Sequence, residues 1–520
     1  MLDLIIRGGF ILDGSGKPPY FSDVGIHGDR IAAIGKLEQV SAAKVIEAQG
    51  HVVCPGFIDL HSHSDVLLLK EPKHEPKVMQ GVTTELLGLD GLSYAPLSKA
   101  NLQQVRRYIA GLDGNPDISW DWNSVGDFIS RFDQKTAVNV AYLVPHIALR
   151  LEVIGWADCP ASPHEIGRMR ELMSEGMRQG AVGFSTGLDY FPARYSNRDE
   201  LVAICQTVAQ YKGISVWHTR MRDLGLIPSI EEALWVGEQT GVPIHISHFS
   251  TAGRANRGKS VEMLALIDKT RAKGIEVTFD SYPYLASSTM TIIFLPRWVH
   301  EGGPDAILKR LEQKTLREKI GSELKSAAYN WEDIYLTSVA TEKNKVYVGK
   351  NVVEAANMAG KEIPDFICHL LLEEELAVSH LRFIGNEEDV QAIMRHPCHM
   401  ASSDGLLIGD RPHPRGWGTF PRYLGVYSRE LGILSLEETI RHMTSSPAQR
   451  LGLSDRGLVK EGFKADLVVF NPQTIADKAT YTEPRQFPTG IDYVLVNGAV
   501  VVTKGKHAGI LAGRALRGAG

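Results

Sequence analysis

Eight short apolar segments alternate with helical segments through the middle of the chain, and this alternation constrains the fold more than any other feature. Apolar strands separated by helices predict parallel β-α-β units. The eight candidate strands are Gly56–His63, Thr83–Asp90, Val138–His146, Gly183–Asp189, Ile214–Arg220, Pro243–Ser250, Glu276–Tyr284 and Cys398–Asp404. Eight such units predict an α/β fold with a closed (β/α)₈ TIM barrel. Residues 296–366 are helical and charged without a comparable strand, which predicts an insertion after the seventh strand that forms a lid or substrate wall.

The two ends of the chain show a different pattern, of short strands separated by glycine turns. Asn497-Gly498 lies between two valine-rich runs and predicts a tight hairpin, since both residues tolerate left-handed backbone. We therefore expect a small β-sandwich domain built from both termini, residues 1–55 plus 453–520. The barrel domain would then occupy residues 56–452.

Composition excludes several classes of protein. The chain has 520 residues, 43% of them hydrophobic and 22% charged, as in soluble globular proteins. A net charge of -5 is small for this length, so we expect neither nucleic acid nor a membrane as partner. No secretory signal or membrane-spanning run is visible. The five scattered cysteines include no CxxC pair, which indicates reduced thiols and predicts a cytoplasmic location.

Polar side chains stand at the C-terminal ends of the predicted strands, where barrel enzymes collect their catalytic groups. Positions i and i+2 of a strand face the same side, so the two histidines of the first strand point together. An isolated pair of this kind is commonly structural, but four histidines and two carboxylates at one barrel mouth indicate a one- or two-metal hydrolytic site. They are His61 and His63 on the first strand, Asp90 on the second, His218 on the fifth, His248 on the sixth and Asp404 on the eighth.

One residue of this set suits proton transfer, and two further histidines need a separate interpretation. Asp404 fits a general base that takes a proton from water and later gives it to the leaving nitrogen. His245 is three residues before His248, so we expect it to face the other way and to be structural. His146 ends the third strand, where a structural or supporting role fits at least as well as metal ligation.

Several stretches carry a resemblance to a known family. Residues 55–63, Pro-Gly-Phe-Ile-Asp-Leu-His-Ser-His, resemble the first-strand motif of the amidohydrolase superfamily. More narrowly, the chain resembles the N-acyl-D-amino-acid deacylase (D-aminoacylase) family over nearly its whole length. The supporting stretches are residues 81–84, 185–190, 246–248, 280–284, 402–405, 413–415, 418–422 and 443–448. The resemblance implies an amidohydrolase-like barrel with a terminal β-domain, and zinc-dependent hydrolysis of the amide bond between an acyl group and a D-amino acid.

The resemblance also implies roles for individual residues. His218, His248 and Asp90 would hold the tighter metal, His61 and His63 a weaker second one, and Asp404 would be the catalytic acid/base. Arg415, Tyr282 and Ser288 match positions that hold the α-carboxylate of the substrate. An arginine suits that role because its planar fork matches a carboxylate. The implied cofactor is Zn²⁺, as one or two ions, with Mn²⁺ or another divalent metal as the alternative.

The chain departs from the family pattern in two places. Asp90 stands in Gly88-Leu89-Asp90-Gly91, where the family has a cysteine. A carboxylate is a harder ligand than a thiolate and can bridge two ions, so we expect a fuller two-metal site or a harder metal such as Mn²⁺. Ser250 replaces the lysine expected to grip the α-carboxylate, and Arg254 is a candidate substitute. This second change leaves selectivity between D and L substrates open.

Other functions stay open on the sequence alone. A dipeptidase that releases a D-residue, or another N-acyl amide hydrolase of the superfamily, would use the same metal chemistry on a short peptide or other small substrate. A cyclic-amide hydrolase would need a carboxylated lysine at a strand end, and strands three to five offer none. A metal-free scaffold relative would have lost ligands, whereas every ligand position here holds a competent side chain. The acyl group, the side-chain preference and the oligomeric state are not predicted.

Overall fold

A computed structural model describes residues 1–220, 225–327 and 329–518. Eight parallel strands follow one another around a barrel in chain order. Seven lie within the predicted segments, and the second begins at Val82, one residue before its segment. They are Phe57–Asp59, Val82–Leu87, Asn139–Pro145, Gly183–Gly187, Ile214–His218, Ile244–Ile246, Val277–Ser281 and His399–Ala401. The predicted α/β barrel is therefore confirmed. Residue 328 of the predicted insertion and residues 519–520 of the predicted terminal domain lie outside the described residues.

The first predicted strand is interrupted. It pairs with the second strand over Phe57–Asp59, and then its last two residues, Ser62–His63, pair in parallel with Gly405–Leu406 beyond the eighth strand. Within the described ranges no ladder joins Phe57–Asp59 to the eighth strand itself. The backbone amide of Asp404 donates to the carbonyl of His61 over 2.8 Å. The barrel is thus nearly closed, with a seam between its first and eighth strands.

Apolar side chains fill the barrel, and helices cover it. The interior cluster includes Ile58, Leu86, Leu143 and Val216, all fully or almost fully buried. Both faces of the strands are covered, so the strands read as continuous apolar runs rather than as alternating ones. The helices between the strands are Leu67–Lys70, Glu75–Val78, Lys99–Tyr108, Ala110–Asp113, Val125–Ser130, His146–Val153, Pro163–Arg178, Arg198–Gln210, Leu226–Thr240 and Ser260–Arg271.

The two chain ends together form one nine-stranded sheet, at the place where we expected a small β-sandwich domain built from both termini. Its strands are Leu2–Ile11, Tyr20–His27, Arg30–Gly35, Ala42–Glu47, Val52–Pro55, Leu467–Phe470, Ile491–Val496, Ala499–Thr503 and Lys506–His507. The predicted hairpin is present, since Val496 pairs with Ala499 across Asn497 and Gly498, whose φ angles are 48° and 81°. The sheet encloses an apolar cluster of its own. The domain boundaries proposed above stay predictions.

The segment between strands seven and eight differs from the prediction in one respect. It contains a three-stranded antiparallel sheet of Ala286–Met290, Ser379–Phe383 and Ile334–Ser338, although we expected no such strand in 296–366. Ile334–Ser338 is short and lies at the edge of its sheet, and a short edge strand leaves a weak pattern among charged helices. The helices here and after strand eight are Gly303–Glu312, Lys314–Ser326, Val352–Met358, Ile363–Glu373, Glu387–Met394, Arg415–Arg422, Leu436–Met443 and Ser445–Arg450. No helix among the described residues is long and apolar enough to cross a membrane.

Candidate metal centre and active site

The polar residues predicted at the strand ends meet at one point of the barrel mouth. His61, His63, Asp90, His218, His248 and Asp404 are all buried there. Asp90, His248 and Asp404 have left-handed backbone, with φ of 54°, 35° and 47°. Non-glycine residues rarely adopt this conformation, and they concentrate at functional sites when they do. The turn at each strand end therefore places these side chains in the mouth.

Three overlapping groups of side chains can each hold a metal ion. Within each group the candidate ligand atoms lie within 4.8 Å of one another. The groups are His61, His63 and Asp90; Asp90, His218 and His248; and His61, His248 and Asp404. The first two groups correspond to the weaker and tighter sites that the resemblance implies. Asp90 belongs to both, as expected of a bridging carboxylate.

Distances within the cluster support a bridging position for Asp90. Its Oδ1 atom lies 3.5 Å from His61 Nε2, while its Oδ2 atom lies 3.6 Å from His63 Nε2 and 3.3 Å from His218 Nδ1. His248 Nε2 is 3.5 Å from the same Oδ2 atom. The two carboxylate oxygens thus face different sets of histidines. A thiolate at this position could offer only one sulfur atom.

The electrostatics of the cluster are those of a cation site. Burial opposes charge on His61, yet Asp90 and Asp404 raise its pKa well above the usual value. The pKa of His63 is raised to about 9 against the same effect of burial. Burial also opposes charge on Asp90, but His61, His248 and His218 hold its pKa well below the usual range. The carboxylates therefore stay ionised and attract positive charge, which protons supply when no metal does.

The donor set fits a divalent ion. Three buried atoms have no hydrogen-bond partner among the described residues. They are the two ring nitrogens of His61 and the Oδ1 atom of Asp90. Such orphaned groups are costly unless something binds them. Imidazole nitrogen and carboxylate oxygen are the ligands that zinc prefers when thiolates are absent. A metal ion at these residues would satisfy the orphaned atoms.

Asp404 lies between the candidate metal ligands and Arg415. Its Oδ1 atom lies 3.5 Å from His61 Nε2, 3.4 Å from His63 Nε2 and 3.0 Å from Arg415 Nη2. Burial opposes its charge, but Arg415 and His61 keep the pKa of Asp404 below its usual range. The carboxylate is therefore ionised at neutral pH and can accept a proton.

Arg415 is a buried cation with unused donors. It begins the helix Arg415–Arg422, and its side chain is inaccessible to solvent. Its Nη2 atom also donates to the carbonyl of Ser288 over 3.1 Å, and its guanidinium lies 4.5 Å from the ring centre of Tyr282. In the described residues its Nε and Nη1 atoms have no hydrogen-bond partner. This arrangement suits capture of an anion.

The other residues predicted to bind substrate differ in how they are placed relative to Arg415 and His248. Ser288 reaches Arg415 through its backbone carbonyl, while its hydroxyl donates to the carbonyl of His380 over 2.9 Å. Ser250 and Tyr282 line one cavity together with His248. Arg254, the candidate substitute for the missing lysine, is exposed and forms an ion pair with Asp333 at 2.8 Å.

Sequence reasoning missed one residue that organises the cluster. Asp280, at the end of the seventh strand, accepts from the backbone amide of His248 over 3.0 Å and lies 3.7 Å from His61 Nδ1. His245 approaches the same carboxylate at 2.9 Å, which fits the structural role expected for it. The sequence could have indicated Asp280, because it lies near the end of the seventh predicted strand and in the stretch 280–284 that supports the family resemblance. His146 lies at 2.7 Å from Glu200 and 2.8 Å from Thr186, so the structure gives it structural partners.

Fold and site together define a class of protein. An eight-stranded barrel with histidines and carboxylates at its C-terminal mouth, joined to a sheet from both termini, is the architecture of metal-dependent hydrolases of the amidohydrolase type. The pattern of the Amidohydrolase family matches residues 44–502 of this chain. The chain belongs to that family.

Within this family, the chain is similar to D-aminoacylases and N-acyl-D-amino-acid deacylases. The chain is 36% identical over 516 residues to the D-aminoacylase of Alcaligenes xylosoxydans xylosoxydans, which covers 99% of this chain and 97% of the relative. A solved structure on the binuclear metal centre of D-aminoacylase, with one-metal activation and second-metal attenuation, matches with a TM-score of 0.85, 36% identity and coverage of 99% and 100%. The N-acyl-D-glutamate deacylase of Bordetella bronchiseptica, solved with zinc and a phosphonate mimic of the tetrahedral intermediate, matches with a TM-score of 0.84, 33% identity and coverage of 99% and 99%.

Proposed function

We propose that the protein hydrolyses the amide bond of N-acyl-D-amino acids, releasing a carboxylate and a free D-amino acid. One observation carries the proposal: a fully buried arginine with unused donors stands 3.0 Å from the carboxylate beside the metal ligands. An amide with a neighbouring α-carboxylate would place its scissile bond at the metal cluster and its anion on Arg415. The relatives described above act on substrates of this class.

We assign the metal to the residues that converge on Asp90. His218, His248 and Asp90 would hold one zinc ion, and His61, His63 and Asp90 would hold a second. When bound there, a divalent ion lowers the pKa of water towards neutrality and polarises the amide carbonyl. The ionised carboxylates at the mouth hold this positive charge, and the buried surroundings strengthen the interaction.

Asp404 is the proton carrier in this proposal. It is ionised at neutral pH and lies within 3.5 Å of His61 and His63, so it can accept the proton of the attacking water. The C–N bond then breaks, and Asp404 returns that proton to the departing amine nitrogen. Asp404 thus takes one proton from water and gives one to the amine, so it is ionised again at the end of each cycle.

In this proposal Arg415 orients the substrate by binding its α-carboxylate. Its Nε and Nη1 donors, which are unpaired among the described residues, can form charged hydrogen bonds to the oxygens of the substrate carboxylate. Tyr282 covers one face of the guanidinium, and the carbonyl of Ser288 fixes its position. Because the anion, the scissile bond and Asp404 are then three fixed points, the configuration at the α-carbon decides where the side chain goes. The family relation favours the D configuration.

We further propose a small-molecule substrate and a cytoplasmic location. All five cysteines are unpaired and four of them are buried. Free thiols of this kind are typical of a reducing compartment.

A single activity screen tests the proposal. N-acetyl-D-amino acids, N-acetyl-L-amino acids and L-Xaa-D-Xaa dipeptides are offered to protein carrying Zn²⁺, Mn²⁺ or no metal. We expect hydrolysis of the D substrates that requires metal. Asp404→Asn should lose about 10²- to 10⁴-fold in kcat and keep its metal. Release of D-residues from dipeptides alone would replace the proposal with a dipeptidase, and no turnover of any substrate, with Asp404→Asn matching wild type, would reject it.

A further inference from the structure

The barrel seam lies between the two parts of the active site that must cooperate. The first strand carries His61 and His63, and the eighth strand leads to Asp404. No ladder in the described ranges joins these strands directly. One backbone hydrogen bond, from Asp404 to the carbonyl of His61, and the short pair Ser62–His63 with Gly405–Leu406 cross the seam. Side chains must supply the rest of the connection.

Lys77 lies at the centre of that connection. It belongs to the short helix Glu75–Val78, and its side chain is inaccessible to solvent. Its ammonium contacts groups from both sides of the seam. Its Nζ atom lies 2.6 Å from Asp59 Oδ2, 2.9 Å from Ser62 Oγ, 3.0 Å from Glu85 Oε1 and 2.6 Å from Ser403 Oγ. One ammonium thus contacts residues of the first and second strands and the residue that precedes Asp404.

Asp59 completes the bridge on the side of the first strand. Its Oδ1 atom accepts from the backbone amide of His61 over 3.2 Å and from that of Ser403 over 2.9 Å. Its Oδ2 atom accepts from the hydroxyl of Ser403 over 2.6 Å, in addition to Lys77. The backbone of a metal ligand and the backbone next to Asp404 therefore share one carboxylate, which Lys77 neutralises.

The same segment also reaches the helix of Arg415. Gln80, three residues after Lys77, donates from Nε2 to the carbonyl of Gly416 over 2.8 Å. Its Oε1 atom accepts from the amide of Phe420 over 3.3 Å. Residues 77–80 thus contact the neighbours of both Asp404 and Arg415.

A purely stabilising role is the simpler interpretation of a buried ion network. Buried ion pairs, however, are often no better for stability than apolar residues of similar volume. The contacts here are directed at particular backbone atoms beside Asp404 and His61, and a stabilising role does not require that. The reaction rate depends strongly on the position of a catalytic group, because a displacement of about 1 Å can lower the rate on the order of 100-fold.

We propose that Lys77 is a positioning residue, which sets the placement of Asp404 against the His61–His63 pair through Asp59 and Ser403. The proposal rests on the proposed function for the role of Asp404, but the placement itself does not depend on the substrate. Lys77 does not touch the reacting atoms.

A double-mutant cycle tests the coupling of Lys77 to Asp404. Lys77→Met should lower kcat roughly 10- to 100-fold while KM stays within about threefold, because binding through Arg415 is retained. In the Asp404→Asn background the same change should cost less than about threefold, since residues that act as a unit are not additive. Lys77→Arg should restore part of kcat.

The matched control is Arg150→Met. Arg150 is another fully buried cation, and it donates to Glu200 over 2.6 Å and to the carbonyl of Cys159 over 2.8 Å rather than to residues of the seam. It should lower the thermal unfolding temperature as Lys77→Met does and leave kcat within about threefold of wild type. Equal losses of kcat in both variants would show that Lys77 acts through stability alone.

A readout that needs no substrate separates this proposal from the proposed function. Protein loaded with Co²⁺ in place of zinc should show a visible absorption spectrum that changes in Lys77→Met and not in Arg150→Met. Should Lys77→Met fail to fold, Ser403→Ala removes the hydroxyl that contacts Lys77 and Asp59 and leaves the Lys77–Asp59 ion pair in place. It should lower kcat several-fold and alter the same spectrum. Additive losses in the cycle, or wild-type kcat and spectrum in the folded variant, would overturn the proposal. Inactive wild-type protein with a Lys77-sensitive spectrum would reject the proposed function only.

Discussion

Two buried regions of the molecule affect the pKa of their histidines in opposite directions. At the strand ends, carboxylates raise the pKa of His61 and raise that of His63 to about 9 despite burial. In the substrate-side region, which we define as the segment 282–383 and the helix Arg415–Arg422, burial lowers the pKa of His300 and of His380 to about 3. The difference lies in the charged neighbours: Asp90 and Asp404 raise the pKa of the first pair, whereas arginines add to the lowering of the pKa by burial in the second pair.

This contrast shows how one barrel mouth can bind a cation and an anion side by side. The strand ends gather carboxylates and imidazoles at one point, and this donor set suits a divalent ion. The substrate-side region keeps His300 and His380 neutral at pH 7 and offers Arg415 as a buried cation. On the proposed function, local charge and not burial alone would separate a metal-binding part of the site, the metal half, from a part that binds the α-carboxylate, the carboxylate half.

The largest expected effect is on binding of the substrate carboxylate, when the guanidinium of Arg415 is removed. Arg415→Met should lower kcat/KM for an N-acetyl-D-amino acid by about 100-fold or more, because a charged hydrogen-bonded contact is lost. Steady-state kinetics on the acid and on its carboxamide analogue check this: the variant should treat both alike, whereas wild type should prefer the acid. Arg422→Met, at the other end of the same helix, is the matched control and should stay near wild type. A variant that still distinguishes acid from amide would remove Arg415 from carboxylate binding.

Changing the bridging ligand should weaken the metal half. Asp90→Cys replaces two oxygens that face different histidines by one sulfur, so we expect bound metal to fall from two ions per chain towards one. Metal analysis of protein purified without added metal measures this directly. A firm single zinc ion in the wild type would contradict the bridging role of Asp90.

The neutral histidines make the substrate-side region sensitive to acid. The pKa of His380 is about 3 in the folded protein, below its unfolded value of about 6.5, so the unfolded state binds more protons between these pH values. Stability is therefore lost as pH falls from about 6.5 towards 3, by up to roughly 1 kcal/mol per pH unit for this group. His380→Asn should flatten the dependence of the free energy of unfolding on pH, measured by denaturant titration. An unchanged slope would show that His380 is not the group responsible.

Much of the barrel and of the metal half was predictable, for a definite physical reason. Strand and helix periods are local, and side chains at the ends of parallel strands must share one edge. The edge strand Ile334–Ser338 and the buried position of Lys77 were not predictable, because both depend on contacts distant in the chain. The left-handed backbone of Asp90 also has no local signal.

The orientation of the substrate-side residues was only partly predictable. The resemblance pointed to Ser288, whose carbonyl rather than its hydroxyl contacts Arg415. The orphaned nitrogens of Arg415 became visible only once the fold enclosed them. Geometry therefore sharpened the proposed carboxylate site more than it sharpened the metal site.

The central claim is that the metal half and the carboxylate half together select N-acyl-D-amino acids. The most direct test is the ratio of kcat/KM for the D and L enantiomers of one N-acetyl amino acid, measured on zinc-loaded protein and on the same protein after metal removal. We expect a ratio in favour of the D enantiomer of about 100 or more and loss of turnover without metal. Equal rates for both enantiomers, a preference for L, or full activity without metal would contradict the account.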